Sequence, residues 1–494
     1  MKKMKWITLL VAALMLTSSL NSVALAGDRI KIEVMRNGSG LPDPDNDPIK
    51  KVLDEKLNID INLTVYPMSD EYINALMLRM AAGNYPDIIK CDGQLLSKLV
   101  AEDLLLDLTE LYKKELLPVA EYLGQDSLTY GNVNGRYFGF PSPQASTRLS
   151  YNTLWVRQDW LDKLGLSLPS TIEEIKKVAL AFINDDPDGN NKADTVGLSG
   201  NLFETFASIF GAYNVGTPKS MYVKDGELTF SYYDPDMPKA LAAAHDLYAS
   251  GCLDPEVFAA LNPAYLREKA IQGQTGLLNI SWSELVKDEY LAQMSALNSN
   301  TKWVQLPPLT GFSDNPTDGV QNIGSPSSMF AIPANLTAEK LERVIALFNF
   351  LASDEGRMLT KYGIEDVNYE VIEGKPQRLS DTSFKDIGHV WLYQFLGRAP
   401  ESEYLSVRFP NQREYIDFVD SQPRIYSLEG YVPAMDGYVL ADAEKYAAEE
   451  FVKFINGSRD LSDYNDFLET LKTTFGYGIY MDYAEGVLKK LNVL

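Results

Sequence analysis

The chain has 494 residues, 45% hydrophobic and 23% charged, an ordinary globular make-up with room for two or three domains. Its formal net charge of −23 argues against nucleic acid as a partner, which needs clustered Lys and Arg, and favours a soluble monomer. With two cysteines and two histidines there is little material for zinc or thiol chemistry.

Lys2, Lys3 and Lys5, the apolar run Trp6 to Leu16 and the small-residue site Ala24-Leu25-Ala26 read as a secretory leader over 1–26, cut before Gly27. The apolar run is too short to span a bilayer, and no later run is long enough. Ile30 to Met35 alternates as a strand. Asp47 is placed to cap a helix with Pro48 in its first turn. Ile59 to Tyr66 is a second strand, a helix follows through Ala82, and Asp87 to Cys91 is a third strand ending at Asp92-Gly93. This βαβαβ rhythm predicts a parallel sheet. Ligands sit outside the carboxyl ends of such strands, so Arg36, Gly38 and Asp92 are candidate binding residues.

The next stretch reads as a passage between two compact bodies. An Asn134-Gly135 turn leads into a strand Tyr137 to Phe140, stopped by Pro141 and Pro143. A polar linker Gln144 to Arg148 follows, then β-prone Leu149 to Trp155, then a helix from Gln158 closed by Gly165. Tyr137, Trp155 and Arg157 border this passage and are candidate ligand contacts, whereas Trp160 lies on the apolar helix face and reads as core.

Asp185 to Thr195, DDPDGNNKADT, places oxygen side chains at Asp186, Asp188, Asn190 and Asp194, positions one, three, five and nine of an EF-hand-type loop. Lys192 would give its carbonyl at position seven. Asn191 replaces the usual Gly at position six and Gly197 the usual Glu at position twelve, so a single Ca²⁺ loop with a structural role is expected, not a helix–loop–helix pair.

Trp282 follows the apolar run Gly276 to Ile280 and is flanked by Ser281 and Ser283, which predicts a ring at a strand's carboxyl end facing ligand. Trp391, Tyr393 and Tyr438 are further aromatic candidates. Enzyme signals are thin. His245 and His389 have no zinc-spaced partner, the nucleophile-elbow and P-loop motifs are absent, and the acids offer no preferred glycosidase pair.

YFGFPSP (137–143) followed by YNTLWVRQDWLDKLGLSLPSTIEEI (151–175) resembles the solute-binding proteins of bacterial ABC importers. More narrowly it is similar to the large sugar-binding type, which includes alginate-oligosaccharide-binding proteins. NDPIKKVLDEKLNIDI, MLRMAAGNYPDII and KYGIEDVNYEVIEG carry the same resemblance, and GSPSSMFAIP (324–333) resembles a second crossover. The resemblance implies an α/β, two-lobe periplasmic-binding-protein-like (type II) fold with a ligand cleft between the lobes. It implies an N-terminal lobe from 27–146 and 324–390 and a C-terminal lobe from 147–323 and 391–494. It adds Thr195 to the calcium ligands. It implies a non-enzymatic protein, outside the cell membrane or in the periplasm, that delivers an oligosaccharide or other sugar to an ABC permease. Gram-positive relatives usually carry a lipobox cysteine, whereas here no Cys precedes Cys91. Cys91 and Cys252 fall in different lobes of this scheme and are expected to be separate thiols. The alternatives are a secreted, calcium-stabilised polysaccharide-degrading enzyme (glycosidase or lyase), or a binder of peptides or other polar solutes on the same fold.

Overall fold

The computed structural model describes residues 29–38, 40–67, 69–142, 151–259, 263–319, 321–322, 329–380, 385–435, 437–491 and 493–494. The expected leader with Ala24-Leu25-Ala26 and Gly27, the passage residues Pro143 to Arg148, and Gly324 to Ser328 lie outside the described residues.

The strands used below are β1 (Ile30–Asn37), β2 (Ile59–Tyr66), β3 (Ile88–Cys91), β4 (Gly139–Phe140), β5 (Asn152–Arg157), β6 (Val196–Ser199), β7 (Thr275–Ser281), β8 (Trp303–Gln305), β9 (Gln321–Asn322), β10 (Met329–Ala331) and β11 (Ile425–Tyr426). They form two principal sheets, ordered β2-β1-β3-β10-β4 and β8-β5-β7-β6. In the first, β1 runs parallel to β2 from Ile30↔Ile59 to Asn37↔Tyr66, and parallel to β3. Late in the chain β10 returns antiparallel to β3 and β4. In the second, β5 is antiparallel to β7 and β8, and β7 is parallel to β6.

Burial on both faces of the first sheet explains its apolar strands. Ile32, Val34, Ile59, Ile61 and Ile88 pack with Ile49 and Leu53 of helix α1 (Pro48–Leu57) on one face. Met35, Ile89 and Cys91 pack on the other face with Tyr72, Leu76 and Met80 of helix α2 (Ser69–Ala81). Leu154, Val156, Leu198 and Leu277 of the second sheet share a separate core with Trp160, Phe182 and Phe451.

Asp47 caps α1 as expected, accepting from the backbone N–H of Ile49 (2.9 Å) and Lys50 (3.1 Å). The expected strand Tyr137 to Phe140 is broken at Phe138, because its halves serve different sheets. Arg136 and Tyr137 close a hairpin over Asn134 (φ +53°) and Gly135 (φ +85°), whereas β4 joins the first sheet. Phe140 stacks on Phe348 with ring centroids 3.7 Å apart. Cys91 and Cys252 are buried free thiols. Among the described residues no helix is long and apolar enough to cross a membrane.

Candidate functional site at the junction of the two lobes

The strand directions bring the ends of the two sheets together. β4 runs parallel to β3, so the chain leaves the first sheet at the carboxyl ends of its parallel strands, and it enters the second at Asn152, opposite Ser281 at the carboxyl end of β7. Arg424 ties this junction. Its Nη2 donates to the Asn152 carbonyl (3.2 Å) and pairs with Asp318 at 2.8 Å, with side chains 1% and 5% exposed. The next residues, Ile425 and Tyr426, pair in parallel with Gln321 and Asn322.

A third passage lies at Gly397. A Cβ there would come 2.7 Å from that of Ser142, and φ is +76°, so only glycine fits. Trp391, Leu392, Tyr393 and Phe395 still pack on the first lobe, through Arg36, Asp47 and Phe330. The expected boundary at 390/391 therefore falls inside a segment held by one body. Helices α3 (Glu401–Arg408) and α4 (Arg413–Ser421) then bridge the two. Tyr404 lies against Tyr362 of the first lobe, whereas Tyr415 lies 5.4 Å from Trp155, and the Gln412 amide donates to the Val286 carbonyl.

Arg36, Gly38 and Trp391, all expected at the site, meet at the carboxyl end of β1. The Arg36 guanidinium lies 5.0 Å from the half-buried Trp391 ring, and Nη1 donates to the Leu392 carbonyl at 2.6 Å. It donates to the carbonyl oxygens of Asn37 and Leu392, and burial lowers its pKa to about 10. A Cβ at Gly38 would strike Trp391 and Leu392, both at 2.8 Å, so glycine lets the indole settle on the strand end. Asp92, the third strand-end candidate of this sheet, is an exposed N-cap accepting from Leu95 N–H. Tyr137 is half-buried, its hydroxyl accepting from Gln125.

Four expected contacts are interior groups. Trp155 is fully buried and donates from Nε1 to the Ile280 carbonyl. Arg157, 2% exposed, forks onto Asp159 (2.8 and 2.7 Å) over the Trp160 ring, the structural option for this arginine. The Tyr393 hydroxyl donates to Asp47 Oδ2 at 2.6 Å, beside His389 at 2.9 Å from Oδ1. Trp282 is 1% exposed: its ring turns inward beneath Tyr151 and Phe409, and its Nε1 has no hydrogen-bond partner among the described residues. Neighbouring serines misled the exposure reading because Ser281 caps the short helix that starts at Trp282. Tyr438 lines a surface pocket of about 540 Å³ with Tyr446 and Phe475, built from second-lobe elements.

Sequence reasoning missed the aromatic contact between the lobes. Tyr130 of the first and Tyr431 of the second have ring centroids 4.9 Å apart, and burial, then the Tyr431 hydrogen bond, push the Tyr130 hydroxyl up. Tyr426 interacts with the same pair and is raised to about 12, chiefly by burial. Neighbouring Glu429 accepts from Met221 N–H (2.9 Å) and the Ser427 hydroxyl, and burial pushes its carboxyl up to about 7. No periodicity marks these positions, and only their aromatic density hints at them.

In the expected calcium loop, the Asn190 side-chain amide donates to Asp188 (2.6 Å) and Asp194 (3.0 Å), and Asp186 accepts from Asn190 and Asn191 N–H. Burial and the charges of Asp194 and Asp186 raise the Asp188 carboxyl. Three carboxylates around Asn190 supply the hard oxygens that suit Ca²⁺. Among the described residues, no three acidic, His or Cys side chains are already arranged as a metal cluster. The Thr195 hydroxyl donates inward to the Phe182 carbonyl at 2.7 Å.

Two α/β lobes joined by repeated passages, with strand ends facing one another, define a periplasmic-binding-protein-like protein of type II. The chain belongs to the family described as bacterial extracellular solute-binding protein, whose profile matches residues 42–358. It is 25% identical to lipoprotein LipO of Bacillus subtilis (strain 168), over 97% of both chains. It is 25% identical to the polygalacturonan/rhamnogalacturonan-binding protein YtcQ of the same organism, over 69% of this chain and 68% of that one. Its fold is similar to that of the Streptococcus pneumoniae ABC-transporter substrate-binding protein FusA in complex with kestose, with TM-score 0.73, 18% identity, and 94% of this chain and 99% of that one covered. A further FusA structure is of an EF-hand mutant.

Proposed function

We propose that this protein is the extracytoplasmic binding component of an ABC importer, and that it holds an oligosaccharide or other sugar between its lobes and hands it to a permease. The observation that carries this reading is the aromatic lining of the junction: Trp391 at the end of β1, and Tyr130, Tyr426 and Tyr431 where the lobes touch. Flat C–H faces of sugars stack on such rings, and contacts to both lobes stabilise the closed form. The sugar-binding names of FusA and YtcQ support the same class. The protein acts without catalysis and as a monomer. Its first lobe comprises 27–146 and 324–397, and its second 147–323 and the chain beyond the bridging helices. Arg36, Gly38 and Trp391 form the first-lobe face of the site, with Asp92 and Tyr137 at its margin. Asp186, Asp188, Asn190, Asp194 and the Lys192 carbonyl hold one structural Ca²⁺. Export proceeds through the leader, cleaved before Gly27.

A thermal-shift screen of the chain from Gly27 against kestose, longer fructo-oligosaccharides and oligogalacturonates tests the reading, since a bound sugar raises the melting point by mass action. A shift with at least one carbohydrate is expected. A shift with peptides and none with carbohydrates would overturn the sugar assignment.

A further inference from the structure

The second lobe carries buried, uncharged hydrogen-bonding atoms that have no partner among the described residues. Asn279 in β7 is 2% exposed, and among the described residues neither Oδ1 nor Nδ2 has a partner. Thr205, 1% exposed, has an unpartnered hydroxyl, and Asn201 has an unpartnered Oδ1. Their placement is common. Leu278 pairs with Ser199, so Asn279 and Gly200 stand one residue further toward the carboxyl ends of β7 and β6. Asn201 follows, and Thr205 packs on Gly200 so closely that a Cβ there would lie 2.6 Å from its hydroxyl. Strand alternation puts Asn279 on the face of Leu277, in the core that also takes Phe203 and Phe206 on either side of Thr205.

Buried polar atoms without partners cost stability, and proteins keep few of them. Here four such atoms gather at the strand ends that face the passages between the lobes. The turn above them, Leu202–Phe206, is entered through Leu202 at φ +47°, a strained conformation for a branched, bulky residue. Asn offers a donor and an acceptor side by side, which matches adjacent hydroxyls of a sugar ring. A carboxylate is disfavoured, because Glu204 stands in the same turn.

We propose that Asn279, Asn201 and Thr205 form a subsite on the second lobe that hydrogen-bonds the hydroxyls of an uncharged sugar unit, reached when the Leu202–Phe206 turn shifts. This rests on the carbohydrate reading above. The test compares wild type with Asn279→Leu and Thr205→Val by melting without sugar, and by melting and calorimetry with kestose and with trigalacturonate. Each substitution removes an unpaired polar group. Each should therefore raise the sugar-free melting point by about 1–2 °C while weakening carbohydrate binding at least tenfold. A lower sugar-free melting point in both variants would show that these groups serve the fold and would overturn the proposal. So would unchanged carbohydrate affinity. If wild type responds to neither sugar, the carbohydrate reading fails for those probes. The sugar-free melts still decide on the residues: a rise in both supports groups kept at a cost to the fold, and a fall overturns that.

Discussion

Arg424 and Asp318 pair at 2.8 Å at the junction of the lobes, and Arg424 also holds the carbonyl of Asn152, the first residue of the second sheet. One guanidinium thus ties the exit of the first passage to the entry of the second. Removing one member of a buried pair leaves the other uncompensated, at about 3–5 kcal/mol. Arg424→Met is therefore expected to lower stability by that order in denaturant melts. Adding Asp318→Asn should restore a large part of the loss, because the stranded charge goes too.

Glu429 predicts a pH dependence. Its folded pKa is raised to about 7, mainly by burial, against an ordinary value of 4.5. Between these values the folded state keeps a proton that the unfolded state has released. Stability should thus fall as pH rises from about 4.5 to about 7, and stay level above, a loss on the order of 3 kcal/mol. Glu429→Gln should flatten that slope and be the more stable protein at pH 8. A wild-type profile with no decline over this window would refute the assignment.

Calcium dependence is expected to reside in the loop 186–194. Asp188 sits where burial and two neighbouring carboxylates raise its pKa, so a divalent cation there relieves repulsion. Chelator should lower the melting point of wild type, whereas Asp188→Ala should melt alike with and without chelator. Equal chelator responses in the two proteins would place calcium elsewhere.

Trp282 marks the limit of what the sequence made legible. The β-strand run and its carboxyl-end position were readable from Gly276 to Ile280, but the direction of the ring was not, because Ser281 serves as a helix cap and not as a cleft wall. Trp282→Ala is accordingly expected to cost about 3–5 kcal/mol of sugar-free stability, measured by chemical denaturation. Strands of the first sheet, the Asp47 cap and the Gly165 helix end were legible for the opposite reason, since short-range chemistry sets them. The position of Arg36 and Gly38 at the carboxyl end of a strand was legible from topology alone. Their partner Trp391 lies some 350 residues away in the chain, with the Arg36-to-Leu392 bond spanning 356, and only tertiary packing joins them. Tyr130 and Tyr431 meet across the lobes in the same way.

The most direct test of carbohydrate binding between the lobes is calorimetric titration of the chain from Gly27 with kestose, longer fructo-oligosaccharides and oligogalacturonates, in parallel with Trp391→Ala. Wild type is expected to bind at least one of them one-to-one at micromolar or lower Kd, about −8 kcal/mol or better, and to return the sugar unshortened. Trp391→Ala should bind it at least tenfold more weakly, through loss of an aromatic anchor. Binding by wild type that Trp391→Ala leaves unchanged, or cleavage of the sugar during the titration, would contradict the account.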